Sequence, residues 1–277
     1  MAQPEIGRSV QAGGIGTNYH DHGEGPPLLL IHGSGPGVSA WANWGRNIPV
    51  LSQEFRVIAP DLTGFGYSEA PAEGIRDKAV WLRQIVGLLD ALELEKVSVV
   101  GNSFGGGMAL ALMIAHPDRV ERGVLMGPVG LIAPITEALD FLWGYTPSLE
   151  NMRKAIGYLA HDRSRITDEL VQMRLEASNR PGAHAPYAAT FGQAPRANGL
   201  KMLASDEADI AAIPHEVLIL HGAHDQVIDL DTSVRLNRLI RRSDLVTLGE
   251  CGHWVQIERA ATFNRLVSHF VRKGLFE

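Results

Sequence analysis

Ser103, Asp225 and His253 are far apart in the sequence, yet they are the three residue types that together make a serine hydroxyl reactive. A hydroxyl is a weak nucleophile until a neighbouring imidazole takes its proton, and the imidazole works best when a carboxylate fixes its tautomer. Ser103 stands in Gly101-Asn102-Ser103-Phe104-Gly105, a G-x-S-x-G string between the apolar run VSVV and a small-residue, helix-like stretch. Glycines on both sides of a serine relieve crowding at a sharp strand-to-helix turn and leave the hydroxyl exposed at the strand end. Asp225 follows EVLILHG and His253 follows DLVTLG. Each therefore lies just beyond a strand's carboxyl end, where open α/β sheets bind ligands. Alone, each has a plainer reading: a tight turn, a turn carboxylate, a satisfied polar group near a helix start. The chain order Ser, Asp, His, with each residue after a strand, favours the joint reading. His221 and His224 beside Asp225 are read as structural or exposed.

A carbonyl under attack also needs donors for the oxyanion that develops. The backbone N–H of Phe104 is one, and the glycine-rich HGSGPG at 32–37 supplies a second, assigned to the N–H of Ser34. The same loop read as a dinucleotide fingerprint fails, because Gly33-Ser34-Gly35-Pro36-Gly37 places its third glycine one position too early. Cys251 is the only cysteine, which excludes an internal disulfide and a multi-cysteine metal site; it reads as a small packing residue. His20 and His22 are expected in a polar turn, and the histidines offer no convincing ligand set. Neither a metal nor an organic cofactor is expected.

These residues must be positioned by an alternation of short strands and amphipathic helices, which implies an α/β fold with a mostly parallel sheet. The expected strands are 27–33, 55–61, 96–101, 122–127, 216–222 and 244–249, after an irregular N-terminal hairpin at one edge. Helices are expected at 78–92, 104–116, 230–241 and 255–272. The long stretch between RGVLMG and EVLILHG lacks strand signals but holds helical patterns at 148–160, 167–178 and 199–212, and a structureless loop of that length is improbable. It is read as a helical cap at 134–205, inserted into a core domain of 1–133 and 206–277. A cap there would roof the exposed serine.

At 277 residues, 45% hydrophobic, with a net charge of −6 made of interspersed charges, the chain can bury a substantial core and gives no electrostatic sign of nucleic acid or an anionic membrane. No apolar stretch approaches the roughly 20 residues that span a bilayer, and MAQPEIGRSVQAGG lacks the pattern of a secretion signal. A cytoplasmic enzyme is expected.

Nearly the whole chain resembles the meta-cleavage product hydrolases, carbon–carbon bond hydrolases of the α/β-hydrolase superfamily that act after ring cleavage in aromatic degradation. The resemblance is carried by HGSGPGVSAWANW (32–44), APDLTGFGYSE (59–69), GNSFGGGMALA (101–111), WGYTPSLENMR (143–153), DRSRITDELVQMRLEAS (162–178) and CGHWVQIE (251–258). Within that group the likeness is greatest to the 2-hydroxymuconic semialdehyde hydrolases. It implies the α/β-hydrolase fold, helices on both sheet faces, and a 2-hydroxy-6-oxohexa-2,4-dienoate substrate. It also implies a carboxylate-binding Arg174, with Asn43, Asn102 and Trp254 against the dienoate, and assembly as a homodimer or larger homo-oligomer. One departure is Asn198-Gly199, where relatives usually carry a bulkier Arg-Trp pair.

The resemblance implies cleavage of the C5–C6 bond to 2-hydroxypenta-2,4-dienoate and a carboxylic acid, with Ser103 acting directly or through a water. The alternatives are a hydrolase for a 6-aryl dienoate, a general carboxylesterase using the same three residues, and a ligand-sensing receptor on a hydrolase fold.

Overall fold

A computed structural model describes residues 4–275. Eight strands, β1 (Arg8–Ala12), β2 (Ile15–His22), β3 (Pro27–Ile31), β4 (Arg56–Pro60), β5 (Val97–Asn102), β6 (Val120–Met126), β7 (Glu216–Gly222) and β8 (Ser243–Leu248), form one sheet in the order β1-β2-β4-β3-β5-β6-β7-β8. β1 pairs antiparallel with β2, and β2 antiparallel with β4. From β4 across to β8 every pairing is parallel.

Successive side chains of a strand face opposite sides, and in the middle of this sheet both sides are covered, so the central strands β3 to β7 read as nearly continuous apolar runs. Leu29, Ile31, Val99, Leu125, Val217 and Ile219 enter one core. Leu28, Leu30, Val100, Val124, Leu218 and Leu220 enter the other. The first core is closed by α3 (Ala79–Ala91), α4 (Phe104–Ala115) and α11 (Leu230–Leu239). The second is closed by α1 (Ala40–Trp44), α2 (Ile48–Leu51), α12 (Val255–Glu258) and α13 (Ala260–Lys273). Each Leu, Ile or Val taken fully from water contributes about 1.5–3 kcal/mol.

Between β6 and β7 the chain leaves the sheet for α5 (Glu137–Trp143), α6 (Leu149–Leu159), α7 (Asp168–Asn179), α8 (His184–Phe191), α9 (Ala197–Leu203) and α10 (Glu207–Ala211). Three of these helices start on a hydroxyl cap: Thr136, Ser148 and Thr167 accept from the N–H of Leu139, Asn151 and Leu170 at 3.0, 3.0 and 3.2 Å. Aromatic packing fastens this insertion over the turn after β5. Phe104 lies against Trp81, Phe65 and Phe191 with ring centroids 4.8, 5.5 and 6.1 Å apart, and Phe191 of α8 stacks on Trp143 of α5 at 5.1 Å.

Several local expectations need correction. His20 and His22 belong to β2 rather than to a polar turn, and His20 is buried against Trp41. The expected 255–272 helix breaks at Arg259 (φ −121°, ψ 38°) into α12 and α13, and the 199–212 pattern breaks after Leu203 into α9 and α10. Among the described residues no helix is long and apolar enough to cross a membrane.

Candidate active site

Ser103 follows β5 directly and opens α4, with its backbone at φ 55°, ψ −112°, a region that costs a non-glycine residue of order 1–3 kcal/mol. The surroundings hold it there. Its N–H donates to Met126 O at 2.8 Å, and its carbonyl accepts from Gly106, Gly107 and Val129 at 2.9, 3.2 and 3.1 Å. The flanking glycines are obligatory for contact rather than freedom: a Cβ on Gly101 would stand 2.2 Å from Gly105 O, and one on Gly105 2.2 Å from Ile31 O.

Asp225 and His253 meet beyond the ends of β7 and β8. His253 Nδ1 donates to Asp225 Oδ2 at 2.7 Å, which leaves Nε2 as the ring's basic nitrogen. The other carboxylate oxygen accepts from the N–H groups of Val227 and Ile228 at 2.8 and 3.0 Å. Burial alone would raise the Asp225 carboxyl, but His253, His221 and the Ile228 N–H outweigh it and hold the group below its ordinary value. His221 is fully buried between Ser233 Oγ (2.7 Å) and Ile228 O (3.0 Å) and is lowered by burial; it braces the Asp225 loop. His224 is exposed.

Ser103 and His253 line one inner cavity of about 30 Å³ together with Gly33, Ser34, Asn43, Asn102, Arg174 and Trp254. Every expected site residue except Asp225 and Phe104 thus reaches it. Asp225 stands behind His253, and Phe104 is the first residue of α4, whose N–H has no partner within the helix. A cavity of this size holds one or two waters. It shares Val38, Asn43, Arg174 and Trp254 with a wider, outer cavity of about 420 Å³. On its other side Leu139 and Val227 separate it from a third, of about 430 Å³.

Arg174 lies on the buried stripe Val171, Arg174, Ser178 of α7. It is 8% exposed, and among the described residues its one hydrogen bond runs from Nη2 to Pro36 O at 3.3 Å. Among the described residues no carboxylate comes within 4.0 Å of it. Burial lowers its pKa, with Glu5 and Tyr145 opposing. A buried cation with no counter-ion in contact is costly unless an anion arrives to pair with it. Asn43 adds a second open donor: its Oδ1 accepts from the Gly33 N–H at 3.4 Å, while its buried Nδ2 has no partner among the described residues. Asn102 Nδ2 donates to Met126 O at 3.4 Å.

Two residues given no role by the sequence reading brace the Ser34 loop. His32 Nδ1 donates to Gly33 O at 2.7 Å, and its Nε2 accepts from the Leu62 N–H at 3.0 Å. Burial takes His32 down to about 4, so the ring is neutral and this tautomer is set. Because a trans peptide points its carbonyl and N–H in opposite directions, holding Gly33 O aims the Ser34 N–H. Trp143 Nε1 donates to Ser34 Oγ at 3.0 Å. The departure at Gly199 bears on this contact, since a Cβ there would stand 2.8 Å from the Trp143 ring. The HG dipeptide was the available signal for His32; Trp143 had none, its partner being 109 residues away. Among the described residues no group of three His, Cys, Asp or Glu is disposed to hold a metal.

A profile of the α/β hydrolase fold matches residues 26–260. The chain is 55% identical to 2-hydroxymuconate semialdehyde hydrolase of Pseudomonas sp. (strain CF600), over 98% of this chain and 95% of that protein. It is 53% identical to 2-hydroxy-6-oxo-2,4-heptadienoate hydrolase of Pseudomonas putida, over 96% of each. Its structure superposes with a TM-score of 0.96 on a crystal structure of the meta-cleavage product hydrolase CumD of Pseudomonas fluorescens IP01, 50% identical, covering 99% of this chain and 100% of the other.

Proposed function

The chain belongs to the α/β-hydrolase fold family and within it to the meta-cleavage product hydrolases, carbon–carbon bond hydrolases, and we propose that it cleaves the C5–C6 bond of 2-hydroxymuconic semialdehyde or a 6-alkyl analogue by a Ser103-His253-Asp225 triad. The observation that carries this reading is a buried cation, Arg174, on the wall of the cavity that Ser103 and His253 line, with no carboxylate among the described residues in contact with it and Glu5 acting on it only from a distance. An enzyme for neutral esters has no use for such a charge, whereas a dienoate brings a planar carboxylate that a guanidinium holds with two parallel hydrogen bonds.

Arg174, Asn43 and Trp254 form the boundary between the inner and outer cavities, so a carboxylate held there lets the rest of the molecule reach inward to Ser103. Fixed at that end, C5 and C6 are presented to the triad as in an intramolecular reaction. Expulsion of a carbanion from the dienol would be slow. A proton therefore moves first from the 2-hydroxyl to C5, with His253 as carrier, and the C5–C6 electron pair can then leave into the enone as a dienolate. The attacking oxygen at C6, from Ser103 or from a water it activates, develops charge under the N–H groups of Ser34 and Phe104. Water supplies the oxygen of the acid product, and the dienolate takes up a proton to give 2-hydroxypenta-2,4-dienoate. Leu139, Leu142, Trp143 and Val227 wall the inner cavity closely, which supports hydrogen or a short alkyl group at C6 over an aryl ring. The helical insertion acts as the cap that excludes water, and a cytoplasmic homo-oligomer completes the reading.

The test is product analysis with a panel of 6-hydrogen, 6-methyl and 6-phenyl dienoates. One equivalent each of hydroxypentadienoate and acid, formed fastest from the small substrates, is expected. Ester hydrolysis without dienoate consumption would make the protein a carboxylesterase instead. Saturable binding with no product over hours would favour a receptor.

A further inference from the structure

We propose that Glu258 is a positioning residue, a latch that seats the end of α6 against the loop carrying His253, so that the base is aligned only while the helical insertion is in place. The proposal rests on the reading of His253 as the base.

Glu258 ends α12, and its N–H donates to Trp254 O at 2.8 Å. Its carboxylate gathers three backbone donors from two distant segments. Oε2 accepts from the Gly252 N–H at 2.7 Å, and Oε1 accepts from the N–H groups of His161 and Asp162 at 2.9 and 3.0 Å. Hydrogen bonds to a carboxylate are about twice as strong as neutral ones. On the other side of His253, the Trp254 N–H donates to Leu159 O at 3.2 Å. Both neighbours of the base are therefore tied to residues 159–162. The loop lies flat against that segment: a Cβ on Gly252 would stand 2.8 Å from His161 N and 2.9 Å from Leu159 O.

The same segment also abuts the acid. His224, next to Asp225, stacks its ring on His161 at 4.1 Å and 14°, and its N–H donates to Cys251 O at 2.9 Å. The titratable groups around the latch are thus His161, His224, Asp162 with its partner Arg165, Cys251 and Arg259. Glu258 and Arg165 further line the outer cavity with Arg174.

The test uses the full chain and the dienoate assay. Glu258→Ala is expected to lower kcat about 30-fold with KM changed less than about 3-fold, and to move the acid limb of kcat/KM against pH by about half a unit or more. Glu258→Gln falls between, because its amide faces an N–H at one end. On the insertion side, Asp162→Pro removes one of the three donors at φ −78°, which proline accepts. It is expected to reproduce the pH shift more weakly, and Asp162→Ala, which keeps the N–H, is not. Should Glu258→Ala fail to fold, Glu258→Gln and the Asp162 pair carry the same test. Wild-type kcat and pH limb in the Glu258 variants, with only a lower Tm, would overturn the latch, as would identical behaviour of the two Asp162 variants. If His253→Ala were as active as wild type, the base reading and the latch would fall together; an inactive His253→Ala beside fully active Glu258 variants would remove the latch alone.

Discussion

The sheet's strand-end loops and the helical insertion face each other across the inner cavity, and they are built on opposite terms. On the sheet side the groups that hold the serine and the base are paired: the Ser103 carbonyl takes three N–H bonds, and the Asp225 carboxylate takes two N–H groups and the His253 ring. On the facing side Arg174 of α7 carries a buried charge with one long bond to Pro36. Saturated groups are preorganised for charge that develops in the transition state. Unsaturated ones are waiting for a ligand. The contrast separates chemistry from selection, and each side can be cut without the other.

The largest loss is expected from the sheet side. Ser103→Ala and His253→Ala should each lower kcat for the dienoate by roughly 10⁴-fold or more, with binding of the substrate retained; rapid mixing and binding titration check both. Next comes the facing side. Arg174→Gln should lower kcat/KM for the dienoate about 100-fold while leaving a neutral ester of similar size within a few-fold of wild type. Equal losses on both substrates would erase the distinction between the two sides. Trp143→Phe, which removes the donor to Ser34 Oγ but keeps an aromatic ring, should cost about 5-fold in kcat.

The smallest effect is on stability against pH and sharpens the picture of the sheet side, where two buried groups titrate in opposite senses. His32 is near 6.5 when unfolded and about 4 when folded, so as pH falls from 6.5 to 4 the unfolded chain takes up a proton that the native one refuses. Stability then drops by about 3 kcal/mol. Burial pushes the Asp61 carboxyl from 3.8 to about 6, against hydrogen bonds from Ala40, Tyr67 and Asn18. Between 6 and 3.8 the native chain binds the proton first, and stability gains about 3 kcal/mol. The two terms nearly offset each other. Asp61→Asn should therefore lose about 3 kcal/mol more than wild type between neutral pH and about pH 4, measured as urea midpoints at both ends; parallel curves would refute it.

How much of this was legible follows the same division. Ser103, Asp225 and His253 could be placed because strand ends are marked by where an apolar run stops, and β5, β7 and β8 stop at Asn102, Gly222 and Leu248, shortly before each of them. Arg174 was reachable only through resemblance. Its helix does bury Val171, Arg174 and Ser178, but a stripe with an arginine in it reads as a solvated face until the tertiary contacts exist. The bracing of Ser34 by His32 and Trp143, and the breaks at Arg259 and after Leu203, depend on partners distant in sequence. Periodicity alone does not carry them.

The central claim, that hydroxyl and imidazole work as one unit on the dienoate, is tested most directly by a Ser103→Ala/His253→Ala double-mutant cycle. Groups acting as a unit are grossly non-additive, so the double variant should be no slower than the slower single one. Losses that multiply would mean that the two side chains serve independent steps, and the triad account would be wrong.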